Sequence, residues 1–187
     1  VHLKISPTTA TIVLLVPVTV QAMQYNISAV GYPPLSGDGT EALKSSYFLK
    51  DRKFCAFINN NQIQDRIELF TQLNDSQRVD SFGSLFNNAG KTLRGSQQDK
   101  VKLLEDYKFN IAFENTLWKY YVSEKIWHSI KAGCLPIYWG RGSSIYQDFP
   151  KDSFIDASEF NSNDDLIDFI GNLPYEEWSI RMEKCIV

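Results

Sequence analysis

The chain has 187 residues, 43% of them hydrophobic, enough for one substantial core or a core with a small annex. A net charge of −3 excludes a general nucleic-acid binder or a polybasic membrane binder. Three cysteines, odd in number and without C-x-x-C spacing, suggest neither a zinc site nor a disulfide framework. Cys55 and Cys134 lie in apolar runs and read as buried thiols; Cys185 is too near the end of the sequence to place.

The first residue is Val, as in a fragment or processed product. The run "ATIVLLVPVTVQA" (10–22) is too short to span a bilayer and is interrupted by Pro17; its β-branched residues predict a strand, although it also resembles a signal-peptide core. Any membrane association is therefore expected through a segment not visible in this sequence. Residues 31–46, "GYPPLSGDGTEALKSS", read as a long loop or linker. The expected division is a partial N-terminal segment and linker over 1–49 and a nucleotide-binding domain over 50–187.

From there strands and helices alternate. Strand 53–58 precedes helix 63–73, with Ile63, Ile67 and Phe70 on one face. Strand 78–83 is followed by helix 97–107, strand 108–114 by helix 123–133, with Ser123 as N-cap and Gly133 as stop. Strand 134–140, strand 153–158 and helix 164–173 continue the pattern, and Pro174 opens a last helix. The alternation predicts an α/β fold: a Rossmann-like parallel sheet with helices on both faces.

In such folds ligands sit beyond the carboxyl ends of the strands. Strand 108–114 would therefore deliver Asn115, Tyr121, Glu124 and Lys125 to the ligand edge. A helix N-terminus suits a phosphate, and Lys125 in the first turn opposes the helix dipole, a cost tolerated where an anion is held. Glu124 could take sugar or ribose hydroxyls. The alternative is an ordinary exposed first turn. Likewise Arg66 could be a surface residue paired with Asp65 or Glu68.

"YKFNIAFENT", "YVSEK", "AGCLPIYWG" and "DFPKDSFIDASEF", preceded by "RKFCAFINNN" and "RVDSFGS", resemble the donor-binding half of the α1,3/4-fucosyltransferases over roughly residues 50 to 171. That family is inverting, uses GDP-fucose and has the GT-B arrangement of two Rossmann-like halves. The resemblance implies transfer of L-fucose from GDP-fucose to a hydroxyl of a GlcNAc-containing glycan, in α1,3-type linkage. It implies that Arg66 and Lys125 hold the pyrophosphate, Asn115 and Tyr121 contact the donor, and Glu124 binds hydroxyls or stabilises oxocarbenium-like charge. No cofactor beyond the donor substrate is implied. No D-x-D motif supports a metal-bridged diphosphate. The family's catalytic base belongs to its N-terminal half. Here the only acids in the first fifty residues are Asp38 and Glu41, and neither matches a motif, so no base is assigned. Another GT-B enzyme using a different nucleotide sugar, or a non-catalytic nucleotide-sugar-binding fragment, are the alternatives. The compartment implied is the Golgi lumen, membrane-anchored, for a eukaryotic protein and the cytoplasm for a bacterial one.

Other features read as structural or ambiguous. His128 is placed mid-helix on a solvated or half-buried face. "GRGSS" (140–144) reads as the turn after a strand. Trp127 is expected in the core and Trp118 as the best stacking residue, with Trp139 and Trp178 as further candidates. Asn26 and Asn74 begin N-glycosylation sequons.

Overall fold

The computed structural model describes residues 11–12, 25–26, 52–91, 93, 96–116 and 118–185. The chain forms two compact units that divide between Ala42 and Leu43. In the first, Thr11–Ile12 (β1) pairs antiparallel with Tyr25–Asn26 (β2). Most of the 10–22 run, the 31–46 loop, Asp38 and Glu41 lie outside the described residues.

The second unit is built on five parallel strands: Lys53–Phe57 (β3), Val79–Ser81 (β4), Tyr107–Ile111 (β5), Leu135–Tyr138 (β6) and Ile155–Asp156 (β7). Their spatial order is β4-β3-β5-β6-β7. Helices Gln64–Ser76 (α1), Gln97–Leu104 (α2), Glu124–Lys131 (α3), Ile145–Asp148 (α4), Asn163–Gly171 (α5) and Tyr175–Lys184 (α6) complete the expected Rossmann-like layering.

A parallel sheet must be covered on both faces, and side-chain alternation sorts the residues between them. Cys55 and Phe57 point with Phe109, Ile111, Leu135 and Ile137 toward α1, α5 and α6, where Leu69, Leu73, Leu166, Ile170, Trp178 and Met182 close one core. Ala56 and Ala112 point the other way. There Val101 and Leu104 of α2, and Ile126 and Ile130 of α3, cover the second face. All three cysteines are buried free thiols.

Several boundaries shift from the sequence pattern. Helix α1 buries Arg66, Leu69, Phe70 and Leu73, whereas Ile63 and Ile67 are only half-buried. The buried stripe thus includes a cation, which hydrophobic periodicity cannot register. Helix α2 stops at Leu104 because Tyr107 is already paired in β5 beside Lys53. Strand β5 ends at Ile111, not Glu114, although the N–H groups of Ala112 and Glu114 go on donating to Ile137 and Trp139 at 2.8 and 2.9 Å. The chain therefore stays extended to the edge of the sheet. Trp178 is a core residue, its indole N–H donating to the Lys108 carbonyl at 3.1 Å, so it offers no stacking surface. Trp139 packs on Phe113 and Trp127 on Phe149, while Trp118 is 70% exposed.

One consequence of the strand order positions the site. After β3 the chain moves outward to β4, then returns to the opposite side of β3 as β5. The connections on either side of β3 diverge there, leaving a crevice at the carboxyl ends of β3 and β5.

Candidate functional site

A cleft opens at this switch point. It is lined by Ile58 to Asn61 from the loop after β3, Arg66 of α1, Lys100 and Leu104 of α2, Asn110 and Ile111 of β5, Asn115, and Glu124, Lys125 and His128 of α3. Its volume of about 180 Å³ falls below the roughly 300–1,000 Å³ of pockets that enclose a small-molecule ligand. A cleft of this size has room to wall a ligand on one side rather than enclose it.

Arg66 enters from the first turn of α1 and is 3% exposed. Its guanidinium donates to Asn59 Oδ1 at 3.0 Å and to the Phe113 carbonyl. It pairs with neither Asp65 nor Glu68, so the surface-pair alternative is ruled out. Burial lowers its pKa, and the fields of Glu114, Tyr121 and Glu124 oppose that shift. An arginine keeps its proton under either influence. The result is a rigid cation fixed to the backbone where β5 runs out.

Lys125 is held by a group that the sequence pattern does not single out. Glu114 is 1% exposed. Its Oε2 accepts from Lys125 Nζ at 3.3 Å and from Ser123 Oγ at 2.5 Å. Its Oε1 accepts from the Ser123 backbone N–H at 2.7 Å and from Tyr138 OH at 3.2 Å. Lys125 Nζ also donates to Ser123 Oγ at 2.8 Å. Ser123 occupies the N-cap position of α3, but its side chain makes no capping bond; it serves this network instead. A cation in the first turn is unfavourable to the helix dipole, and here a buried carboxylate offsets it. An ammonium has three donors, and two are accounted for.

Glu124, the neighbouring residue, makes no hydrogen bond or ion pair with described residues and lines the cleft as a free carboxylate. Asn115 is exposed at the mouth. Tyr121 is 39% exposed and is not part of the lining, yet it stands within the fields of Glu114, Glu124 and Arg66. Burial, then the two carboxylates, raise its hydroxyl pKa while Arg66 lowers it. The fold thus brings Arg66, Asn115, Glu124 and Lys125 to one cleft, with Tyr121 beside it.

His128 departs from expectation. It is 5% exposed, neither solvated nor half-buried, on a helix against which α2 packs. Burial pushes its pKa down to about 4; Glu124 opposes the shift and Lys100, Lys131 and Lys125 reinforce it. Its position four residues after Glu124, on the same helical face, was the available signal. Asn110, a polar residue inside the apolar run "YKFNIAF", was another. Among the described residues no group of three or more His, Cys, Asp or Glu could hold a metal ion.

Comparison with known proteins matches residues 48–180 to the family described as glycosyltransferase family 10 (fucosyltransferase), C-terminal. A putative fucosyltransferase, R654, of Acanthamoeba polyphaga mimivirus is 31% identical over 156 residues, covering 77% of this chain and 26% of its own. The alpha-(1,3)-fucosyltransferase FucT of Helicobacter pylori is 35% identical over 120 residues, covering 64% and 24%. The mouse 4-galactosyl-N-acetylglucosaminide 3-alpha-L-fucosyltransferase 9 is 27% identical, covering 65% and 33%. This chain spans a quarter to a third of the length of these curated relatives. A crystal structure of an alpha1,3-fucosyltransferase with GDP-fucose superposes with a TM-score of 0.67 at 30% identity, covering 79% of this chain and 43% of that one.

Proposed function

The chain belongs to glycosyltransferase family 10, the fucosyltransferases, and from that premise we propose that its sheet edge binds GDP-fucose for transfer of L-fucose to a hydroxyl of a GlcNAc-containing glycan. The observation that carries the reading is the convergence of Arg66, Asn115, Glu124 and Lys125 on one cleft at the switch point. A solved relative of the same fold holds GDP-fucose.

In this reading residues 50–187 form the donor domain. Arg66 and Lys125 flank the diphosphate. A departing diphosphate gathers negative charge as the bond to the fucose anomeric carbon breaks, and charge-assisted bonds to fixed cations favour that state over the substrate. Arg66 is anchored to backbone and cannot swing away, so its cost of organisation is met on folding. Glu124 carries an unshared negative charge beside the cations. It suits ribose or fucose hydroxyls and, during transfer, the cationic character of the sugar ring. Asn115 and Tyr121 contact the donor from the rim. Transfer with inversion also requires a base for the acceptor proton, a role assigned to none of the described residues. A eukaryotic protein of this kind would work in the Golgi lumen and a bacterial one in the cytoplasm. Among the described residues no helix is long and apolar enough to cross a membrane.

The test is calorimetric. The chain should bind GDP, and Lys125→Ala should weaken binding by about 1.5–3 kcal/mol, the scale of a charged hydrogen bond. Arg66→Ala should weaken it similarly, with a loss of thermal stability as well, because its guanidinium ties α1 to Phe113. Affinity unchanged in either variant removes that residue from the site, and preference for a UDP-sugar favours a different glycosyltransferase specificity.

A further inference from the structure

The 118–121 turn lies in the chain between Asn115, at the mouth of the cleft, and Glu124 and Lys125 in its wall. It carries three of the five large hydrophobic side chains exposed among the described residues: Trp118 at 70%, Tyr120 at 62% and Tyr121 at 39%. Aromatic rings gathered in water mark a surface that a ligand or partner covers. The Tyr121 N–H donates to the Trp118 carbonyl at 3.1 Å and closes the turn. Tyr120 takes a φ of 66°, a left-handed conformation that turns ordinarily give to glycine or asparagine. Strain of this kind collects at binding and catalytic sites.

The two outer rings differ in their surroundings. Lys119 Nζ lies over the Tyr120 ring, 5.0 Å from its centroid. Among the described residues the Trp118 indole has no ring partner and its N–H no acceptor. A free indole offers a flat apolar face and one donor at its edge. A hexopyranose, with an apolar C–H face ringed by hydroxyls, fits both. An anionic lipid surface does not: it would meet the free carboxylate of Glu124 and a chain of net charge −3.

Resting on the reading of the cleft as the donor site, we infer that the 118–121 turn receives the acceptor glycan, with Trp118 as the platform on which its sugar stacks. Arg66 and Lys125 anchor the diphosphate in the wall, and a cleft of about 180 Å³ does not enclose the whole donor. The fucose therefore stands toward the mouth. Inverting transfer brings the acceptor hydroxyl within about 3 Å of the anomeric carbon, on the side away from the diphosphate, so the acceptor approaches from outside. The turn borders that approach. Tyr121 stands within the fields of Glu114, Glu124 and Arg66, and its backbone is bonded to that of Trp118. Stacking performs no chemistry; it restricts the acceptor and leaves the reacting hydroxyl free for its base.

Ligand-observed saturation-transfer NMR on the 187-residue chain, saturated with GDP, tests this with N-acetyllactosamine as the probe. Calorimetry measures GDP binding on the same samples. The parent should pass saturation to the ring protons of the sugar. Trp118→Ala should bind the sugar about three- to tenfold more weakly, the scale of one aromatic contact. Trp118→Phe should keep most of the affinity, and both should bind GDP as the parent does. Tyr120→Gly relieves the left-handed strain, so it should melt no lower than the parent while binding the sugar more weakly; it decides the matter should Trp118→Ala not fold. A parent that binds GDP but passes no saturation overturns the inference and leaves the donor site standing, as does a Trp118→Ala chain that binds the sugar like the parent. A Trp118→Ala chain that loses GDP affinity assigns the ring to the donor and overturns it too. So does a tryptophan blue shift on anionic phospholipid vesicles without a response to the sugar. A parent that binds no GDP removes the donor-site reading and the inference with it.

Discussion

Replacing Glu114 with alanine would remove the anion that ties together the start of α3, its first-turn lysine and the end of β6. The carboxylate is solvent-inaccessible and accepts four hydrogen bonds, two from Ser123 and one each from Lys125 and Tyr138. Deleting one partner of a buried ion pair costs about 3–5 kcal/mol. The Lys125 side chain is 21% exposed and can turn toward water, which places the expected loss near about 3 kcal/mol, most of it from the orphaned Ser123 N–H and Tyr138 hydroxyl. With a urea dependence of about 2 kcal/mol per molar, the midpoint of denaturation should fall by about 1.5 M. Tryptophan fluorescence during urea titration measures it. Glu114→Gln keeps an acceptor for the Ser123 N–H and removes the charge, so its midpoint should fall between those of the parent and the alanine variant. GDP affinity should fall in both, because Lys125 and Glu124 sit on the turn that Glu114 positions. An alanine variant whose midpoint lies within about 0.3 M of the parent has lost far less than a broken buried ion pair costs. That result would refute the account of Glu114 as the anchor of this corner.

Three further outcomes are expected. Gly83→Ala should destabilise by about 1–3 kcal/mol, the cost of forcing atoms into a packed site, because a Cβ there would overlap the Asn59 carbonyl; a thermal melt coincident with the parent's would contradict it, and displacement of the Asn59 loop should also weaken GDP binding. His128 has an ordinary pKa of 6.5 lowered to about 4 by burial, so below pH 6.5 the unfolded chain takes up a proton that the folded chain refuses. Stability from this group is complete above about pH 6.5 and declines toward pH 4, by about 2 kcal/mol at pH 5; His128→Asn should flatten that slope in denaturation curves, and an identical slope would count against the shift. All three thiols should resist alkylation at pH 8 and react fully in urea, since burial raises Cys185 to about 12 and Cys55 and Cys134 also well above the ordinary 9.0; rapid labelling of the folded chain would show the core to be open.

The alternation of apolar runs, glycines and caps is enough to determine a parallel α/β sheet, because strand and helix periods are local properties of the chain. The same local reading places Asn115, Glu124 and Lys125 beyond the end of one strand, and resemblance adds Arg66. What it cannot supply is the pairing between distant segments. That Arg66 crosses from the first turn of α1 to the carbonyl of Phe113 depends on β3 and β5 lying side by side, a tertiary fact with a separation of 47 positions between the partners. Glu114 reads as the last residue of a strand, and only the tertiary fold brings Ser123 and Lys125 onto its carboxylate. The helical pattern leaves His128 on a solvated or half-buried face because it holds no information on what packs against the helix; in the fold it is buried. Asn110 stands out as a polar residue in an apolar strand, but its amide orientation is set by Ser129, which is itself committed to the Lys125 carbonyl. Local sequence decides which groups can interact along a single element, while the charges and amides of the cleft take their meaning from neighbours that only chain folding provides.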